Sequence, residues 1–127
     1  MIHPLSFNPA SLHVDTPFAD VEWPRPELLD ARHPLSFTLC IALPQGGGGL
    51  NWWELRPTDP VAATRSSLAA AVASMKPHYL EYSVGHMIVH DGFNVHQIAY
   101  LDAEPGSARI TLQGHAVKYD GVWQLYL

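Results

Sequence analysis

The sequence predicts a mainly β fold, either an antiparallel sandwich or a small barrel, with one helix. Short apolar segments recur along the chain, and turns that contain Gly or Pro separate them. Only one segment has helical periodicity, so a fold that alternates strands and helices around a parallel sheet is not favoured. With 127 residues, 47% of them hydrophobic, the chain can form one core but is too short for two.

The predicted strands begin with a pair that flanks a glycine-rich turn. Phe37–Leu43 (FTLCIAL) is apolar on both faces and should be a central strand, and Leu50–Leu55 (LNWWEL) should be another. Between them, PQGGGG supplies the backbone freedom of a turn. The later strands are predicted at His78–Val84, His86–His90, Val95–Leu101, Ala108–Tyr119 and in the closing VWQLYL.

One amphipathic helix is predicted at about residues 60–76. Thr58 or Asp59 can cap its N-terminus, Pro60 suits the first turn, and Lys76 and Pro77 end it. One stripe carries its apolar residues, which are Val61, Leu68, Val72 and Met75. This pattern indicates an element that packs on the core.

The proline-rich segment 16–36 has no clear period. It is interpreted as a long loop near the functional site, since loops of this length are often functional.

Composition excludes several function classes. The net charge is −5 and no run of Lys or Arg exists, which argues against nucleic acid and anionic membranes as partners. The single Cys40 lies in an apolar run and fits a buried thiol in a reducing compartment. No apolar stretch is long enough for a membrane span, and the N-terminus lacks the layout of a signal peptide. We expect a soluble cytoplasmic protein.

Three residues form a candidate metal site. His13 and Asp15 (SLHVDTP) are two apart, so on an extended segment both side chains face one centre while Val14 faces away. His96 follows the turn DGFN and opens the next predicted strand. Two histidines and one carboxylate that leave open coordination positions are typical of non-haem Fe(II) oxygenases.

Arg109 and Thr111 form a candidate anion site. They alternate with Ile110 and Leu112, so an arginine and a threonine point inward from a largely apolar strand. A buried guanidinium needs an anionic partner, and a carboxylate can satisfy it in bidentate fashion.

The order His13-x-Asp15, then His96, then Arg109-x-Thr111 resembles the Fe(II)/2-oxoglutarate-dependent dioxygenases of the double-stranded β-helix fold. FTLCIALPQGGGGLNWWEL is similar to their central strand pair, and VGHMIVHDGFNVHQIA to the segment that leads to the distal histidine. The resemblance covers about residues 12–117. It implies a jelly-roll or cupin-like barrel with the helix inserted at about 60–76.

The resemblance also implies roles for the five residues. His13, Asp15 and His96 would hold Fe(II), Arg109 would pair with the distal carboxylate of 2-oxoglutarate, and Thr111 would add a hydrogen bond to it. With O2 as the other cosubstrate, the chain would hydroxylate a small metabolite, an amino acid or a peptide-linked residue and release succinate and CO2. An aspartate at position 15 favours hydroxylation, because related halogenases have a small residue there.

Family members normally carry helices and a further strand before His-x-Asp, whereas twelve residues precede His13 here. We therefore expect a single oxygenase-like domain over residues 1–127 that lacks those helices and the first strand. Its sheet would keep an open edge, which a second copy of the chain would cover in a homodimer.

Other interpretations stay open at this point. A cupin-like centre built from His86, His90 and His96 is one, and a metal-binding β-barrel or truncated oxygenase without turnover is another. Arg109 could instead pair with Asp102 or Glu104 at the surface. No partner pattern is evident for four histidines, which are His3, His33, His78 and His115.

Overall fold

Two antiparallel β-sheets and one helix make up the fold in the computed structural model, which describes residues 12–59, 64–99 and 108–127. The elements in chain order are β1 (Leu29–Ala42), β2 (Gly49–Trp52), α1 (Arg65–Ser74), β3 (His78–Glu81), β4 (Met87–Asp91), β5 (His96–Ile98), β6 (Ile110–Tyr119) and β7 (Val122–Tyr126). Two short 3-10 helices, Pro17–Asp20 and Pro26–Leu28, precede β1. The mainly β prediction is confirmed, but the described strands form two separate sheets and do not close into a barrel.

The larger sheet has four strands in the order β4-β1-β6-β7. In β1 the even-numbered positions from Pro34 to Cys40 are buried, while the odd ones between them are less so. Directly opposed residues share a face, so the register carries this alternation across the sheet. Ser36 lies opposite both His90 and His115, which places all three side chains on the inward face.

The smaller sheet has the order β3-β2-β5. The segment around His13 extends it, because His13 and His96 exchange two backbone hydrogen bonds of 3.1 and 3.0 Å as an isolated antiparallel bridge. Leu50 and Trp52 in β2 lie opposite Ile98 and His96. The predicted central positions of Phe37–Leu43 and Leu50–Leu55 are thus confirmed, since β1 and β2 are each paired on both sides.

The helix α1 packs on the core but begins later than predicted. Its cap is Thr64, whose side chain accepts from the backbone N–H of Ser67 in a capping box. The predicted cap at Thr58 or Asp59 is wrong, because the Asp59 carboxylate instead accepts from the backbone N–H of Arg56. Val72 is fully buried against the cluster of Trp53, Leu55 and Val95, with Leu68 and Met75 beside it, as the stripe predicts. Val61 lies outside the described residues.

The strand boundaries correct one larger prediction. Residues 29–36 are strand and not loop, so only the first part of the segment 16–36 is irregular. A register shift between Asp30 and Leu35 accommodates Pro34 in β1.

No described helix has the length and apolar character needed to span a membrane.

Candidate metal centre

His13, Asp15 and His96 are brought together between the two sheets. Each offers one ligand atom, and these three atoms lie within 4.8 Å of one another. Asp15 lies between the histidines: Oδ2 is 3.2 Å from Nε2 of His96, and Oδ1 is 3.7 Å from Nε2 of His13. Two ligands bound at right angles to one metal are roughly 3 Å apart, since metal–ligand bonds are about 2.1 Å. The observed separations therefore suit three ligands on one face of an ion.

Backbone hydrogen bonds fix the segment that carries His13 and Asp15. The His13–His96 bridge holds one end, and the N–H of Asp15 donates to the carbonyl of Gly92 at 2.8 Å. Val14 points the other way and packs against the core, as expected for an extended segment. A Cβ on Gly92 would come within 2.8 Å of Ser36 Oγ and 3.4 Å of Asp15 Cβ, so the close approach requires glycine there.

The Asp15 carboxylate is strongly stabilised in its ionised form. Burial on its own would raise the pKa of Asp15, but hydrogen bonds with His96 and Ser36 outweigh burial and hold the pKa well below its usual range. The Ser36 hydroxyl donates to Oδ2 at 2.5 Å. A carboxylate that stays ionised is available to a cation without first losing a proton.

His96 is presented to the centre in one orientation. Its side chain is 4% exposed, and Nδ1–H donates to the backbone carbonyl of Asn94 at 2.8 Å. Because Nδ1 donates to Asn94, Nε2 is the atom that faces Asp15; without a metal it donates a hydrogen bond to the Asp15 carboxylate, and a bound cation would take the place of that proton. Such an arrangement fixes the tautomer of a metal-binding histidine.

Two further histidines and Ser36 surround the three residues. The His90 ring lies 4.6 Å from the His96 ring, and burial, followed by the charge of His96, lowers the pKa of His90 to about 4. Because the Ser36 hydroxyl donates its proton to Asp15, its oxygen can only accept from His115. Nδ1 of His115 therefore donates to Ser36 Oγ at 3.2 Å. His115 thus supports Asp15 through Ser36 and is not the unpartnered histidine that the sequence suggested.

A cavity of about 140 Å³ opens from the metal-ligand candidates into the space between the sheets. It has room for several water molecules or one small organic ligand, since a cavity needs only about 10–15 Å³ to hold one water. Its polar lining away from the candidate ligands comes from Ser36, Thr38, His90, Gln113 and His115, and its apolar side-chain lining from Leu50 and Ile98.

Thr111 lies further along the same inward face of the four-stranded sheet, whereas Arg109 lies outside the paired strands. Thr111 is opposite the buried Cys40, and Gln113 separates it from His115. Thr111 is therefore roughly 13 Å from His115 along the strand, at about 3.3 Å per residue. Arg109 immediately precedes β6, and its charge lowers the pKa of Tyr82, although burial has the larger effect and raises it. The inward position is as predicted for Thr111, whereas no register pair of the described strands includes Arg109, and neither residue lines the cavity.

The structure does not assemble the cupin-like alternative. His86 is exposed, and Nδ1 of its ring donates to the carbonyl of Val84, away from the cavity. His33 pairs with Asp30 at 3.0 Å, and the His78 ring stacks on Trp52. The other partners weighed from the sequence, Asp102 and Glu104, lie outside the described residues, as does His3.

No family model matches the sequence, and no curated protein matches it either. Solved structures do match this chain in fold. A crystal structure described as a novel N-substituted L-amino acid dioxygenase from Burkholderia ambifaria AMMD matches with a TM-score of 0.59 at 16% identity, over 91% of this chain and 48% of that one. A structure of the same description in complex with alpha-KG matches with a TM-score of 0.54 at 16% identity, over 73% of this chain and 38% of that one.

The chain therefore spans less than half the length of these solved structures. At this level of identity the likeness concerns the fold. The fold of this chain is similar to part of the fold of these two structures.

Proposed function

We propose that this chain is a non-haem Fe(II)- and 2-oxoglutarate-dependent oxygenase with the strand arrangement of a double-stranded β-helix. The observation that carries the proposal is the meeting of His13, Asp15 and His96 at the mouth of a cavity between the sheets. The fold likeness to dioxygenase structures, one of them holding alpha-KG, supports it.

The donor set suits iron better than a structural ion. Two neutral imidazoles and one carboxylate fit a borderline divalent metal, and three protein ligands leave positions open for small molecules. A structural zinc site more often closes with a fourth ligand such as a thiolate. Cys40 cannot serve, since its buried thiol faces Thr111 further along the sheet, outside the cavity lining.

The chain's own residues prepare the site for the metal. Ser36 and His96 keep Asp15 ionised, and Asn94 holds the His96 ring with Nε2 towards the centre. Once bound, iron and 2-oxoglutarate together would supply O2 chemistry that oxidises a substrate and releases succinate and CO2.

We assign the distal carboxylate of 2-oxoglutarate to Arg109, with Thr111 as a second contact. Thr111 lies on the inward face that carries the cavity wall, Arg109 comes two residues before it, and Thr38 and Gln113 line the cavity between Thr111 and the metal end. A cation beyond this lining would select a dianion whose other end chelates the metal.

The proposed substrate is a small metabolite, an amino acid or a peptide-linked residue. N-substituted L-amino acids are the first class to screen, because they name the substrate of the dioxygenase with the similar fold. We further propose that the protein acts in the cytoplasm without nucleic acid or membrane partners.

Anaerobic titration tests the proposal. Fe(II) followed by 2-oxoglutarate should give a weak visible charge-transfer band in the wild type, and His13→Ala should lose the band together with iron affinity. His33→Ala is the matched control, because His33 is an exposed histidine paired with Asp30 outside the cavity lining. Absence of the band in an iron-loaded wild type would remove the proposal.

The second candidate is a metal-binding β domain without turnover. The position of Arg109 and Thr111 outside the cavity lining favours it. It predicts iron binding, and even the visible band, but no succinate under O2 with any substrate.

A further inference from the structure

The outer face of the four-stranded sheet is a broad apolar surface that is not part of the site. Its residues follow three rows across the strands, set by the register: Met87, Leu39 and Leu112; Val89, Phe37 and Gly114; and Asp91, Leu35, Ala116 and Leu125. Leu127 adds to the middle row, since its side chain lies over Gly114. The first two of these rows thus contain no charged side chain.

Many of these side chains are open to solvent. Met87 is 53% exposed, Val89 55% and Leu125 68%. Together with Ile41, Ile110, Leu112 and Leu127, they expose roughly 700 Å², more than the largest apolar patch of a typical monomer, which is about 300–600 Å². A surface of this kind marks a site of association.

The rim of the face is polar and already paired. At one margin Arg56 forms an ion pair with Asp91, and near the other the ammonium of Lys118 lies 5.0 Å from the centre of the Trp123 ring. An apolar centre with a polar rim has the anatomy of a protein interface. The acidic side chain in these rows, Asp91, lies at the margin and is paired with Arg56, so the centre of the face carries no charge that would oppose self-association.

We propose that this face is the interface of a homodimer, in which two copies pack their four-stranded sheets face to face. A second copy supplies a matching apolar surface, and a two-fold axis lets the same patch serve both subunits. The roughly 700 Å² that each copy offers approaches the ~800 Å² per partner of a standard interface. Such a dimer covers the face of the sheet and leaves the cavity between the sheets accessible.

Sedimentation equilibrium of the full chain tests the proposal. The wild type should be a dimer at micromolar concentrations and dissociate on dilution. Val89→Lys and Leu112→Lys should sediment as monomers of 14.0 kDa with an unchanged far-UV circular dichroism spectrum. Val21→Lys is the matched control, because Val21 is 46% exposed but belongs to no strand of this sheet, and it should stay dimeric.

A second measurement needs no variant. Oxidation of Met87 by hydrogen peroxide, followed by peptide mass spectrometry, should slow as the wild-type concentration rises, whereas oxidation of Met75 beside α1 should not. The proposal is overturned by a wild type that is monomeric at every concentration. A dimer that persists in both lysine variants, or a concentration-independent rate at Met87, would equally overturn it.

Discussion

Replacing Ser36 with alanine tests how the chain prepares its metal-binding carboxylate. Ser36 Oγ donates to Asp15 Oδ2 at 2.5 Å, the length of a charge-assisted O–H···O⁻ bond. Hydrogen bonds to charged groups contribute about 1.5–3 kcal/mol. The change also leaves His115 without the hydroxyl oxygen that accepts from its ring.

We expect Ser36→Ala to weaken metal binding by about 10–100-fold, the usual effect of losing a group that orients a metal ligand. This range corresponds to about 1.4–2.8 kcal/mol, in keeping with one lost charge-assisted bond. Anaerobic titration calorimetry with Fe(II) measures it. Ser74→Ala is the matched control, since that hydroxyl donates to a carbonyl of α1 at an exposed position. A Ser36→Ala protein that is less stable but binds Fe(II) within twofold of the wild type would refute the reasoning.

Three further outcomes are expected. Arg109→Gln should raise the 2-oxoglutarate concentration needed for the visible band at least tenfold while Fe(II) affinity stays unchanged; an equal loss of both would contradict the assignment. Gly92→Ala should weaken Fe(II) binding in the same titration, because the added Cβ would come within 2.8 Å of Ser36 Oγ. Val72→Ala should cost about 2–3 kcal/mol in urea unfolding, because Val72 is fully buried, whereas Val84→Ala at a 57% exposed turn should cost less than about 0.5 kcal/mol.

Local patterns were sufficient to predict the candidate ligands. The two-residue spacing of His13 and Asp15 determines that both side chains point to one side, whatever the rest of the fold does. The inward alternation of Thr111, Gln113 and His115 could be read in the same way, and the register confirms it.

Ser36 and His115 were missed because their role depends on contacts between distant strands. His115 was assigned no partner, although it shares a face with Thr111 and Gln113, and that shared face was the available signal. Which end of the face meets Asp15 depends on how the two sheets pack, and that packing brings Asp15 Oδ2 to 3.8 Å from Nδ1 of His115, which is distant in the sequence. Ser36 is a small polar residue on a strand, and only the pairing of β1 with β6 brings its hydroxyl to this centre.

The two boundary errors also have physical causes. Pro34 and its polar neighbours indicate a loop, but the register shift after Asp30 lets β1 continue through them. At the helix, Thr58, Asp59 and Thr64 are all competent caps by residue type. The reciprocal hydrogen bonds between Thr64 and Ser67 decide among them.

The most direct test of the central claim is the X-ray absorption spectrum of the Fe(II)-loaded protein. The account predicts two imidazole ligands with oxygen atoms in the other positions, and one imidazole in His96→Ala. A third imidazole, from His90 or His115, or a sulfur ligand would contradict the assignment of His13, Asp15 and His96 as the iron site.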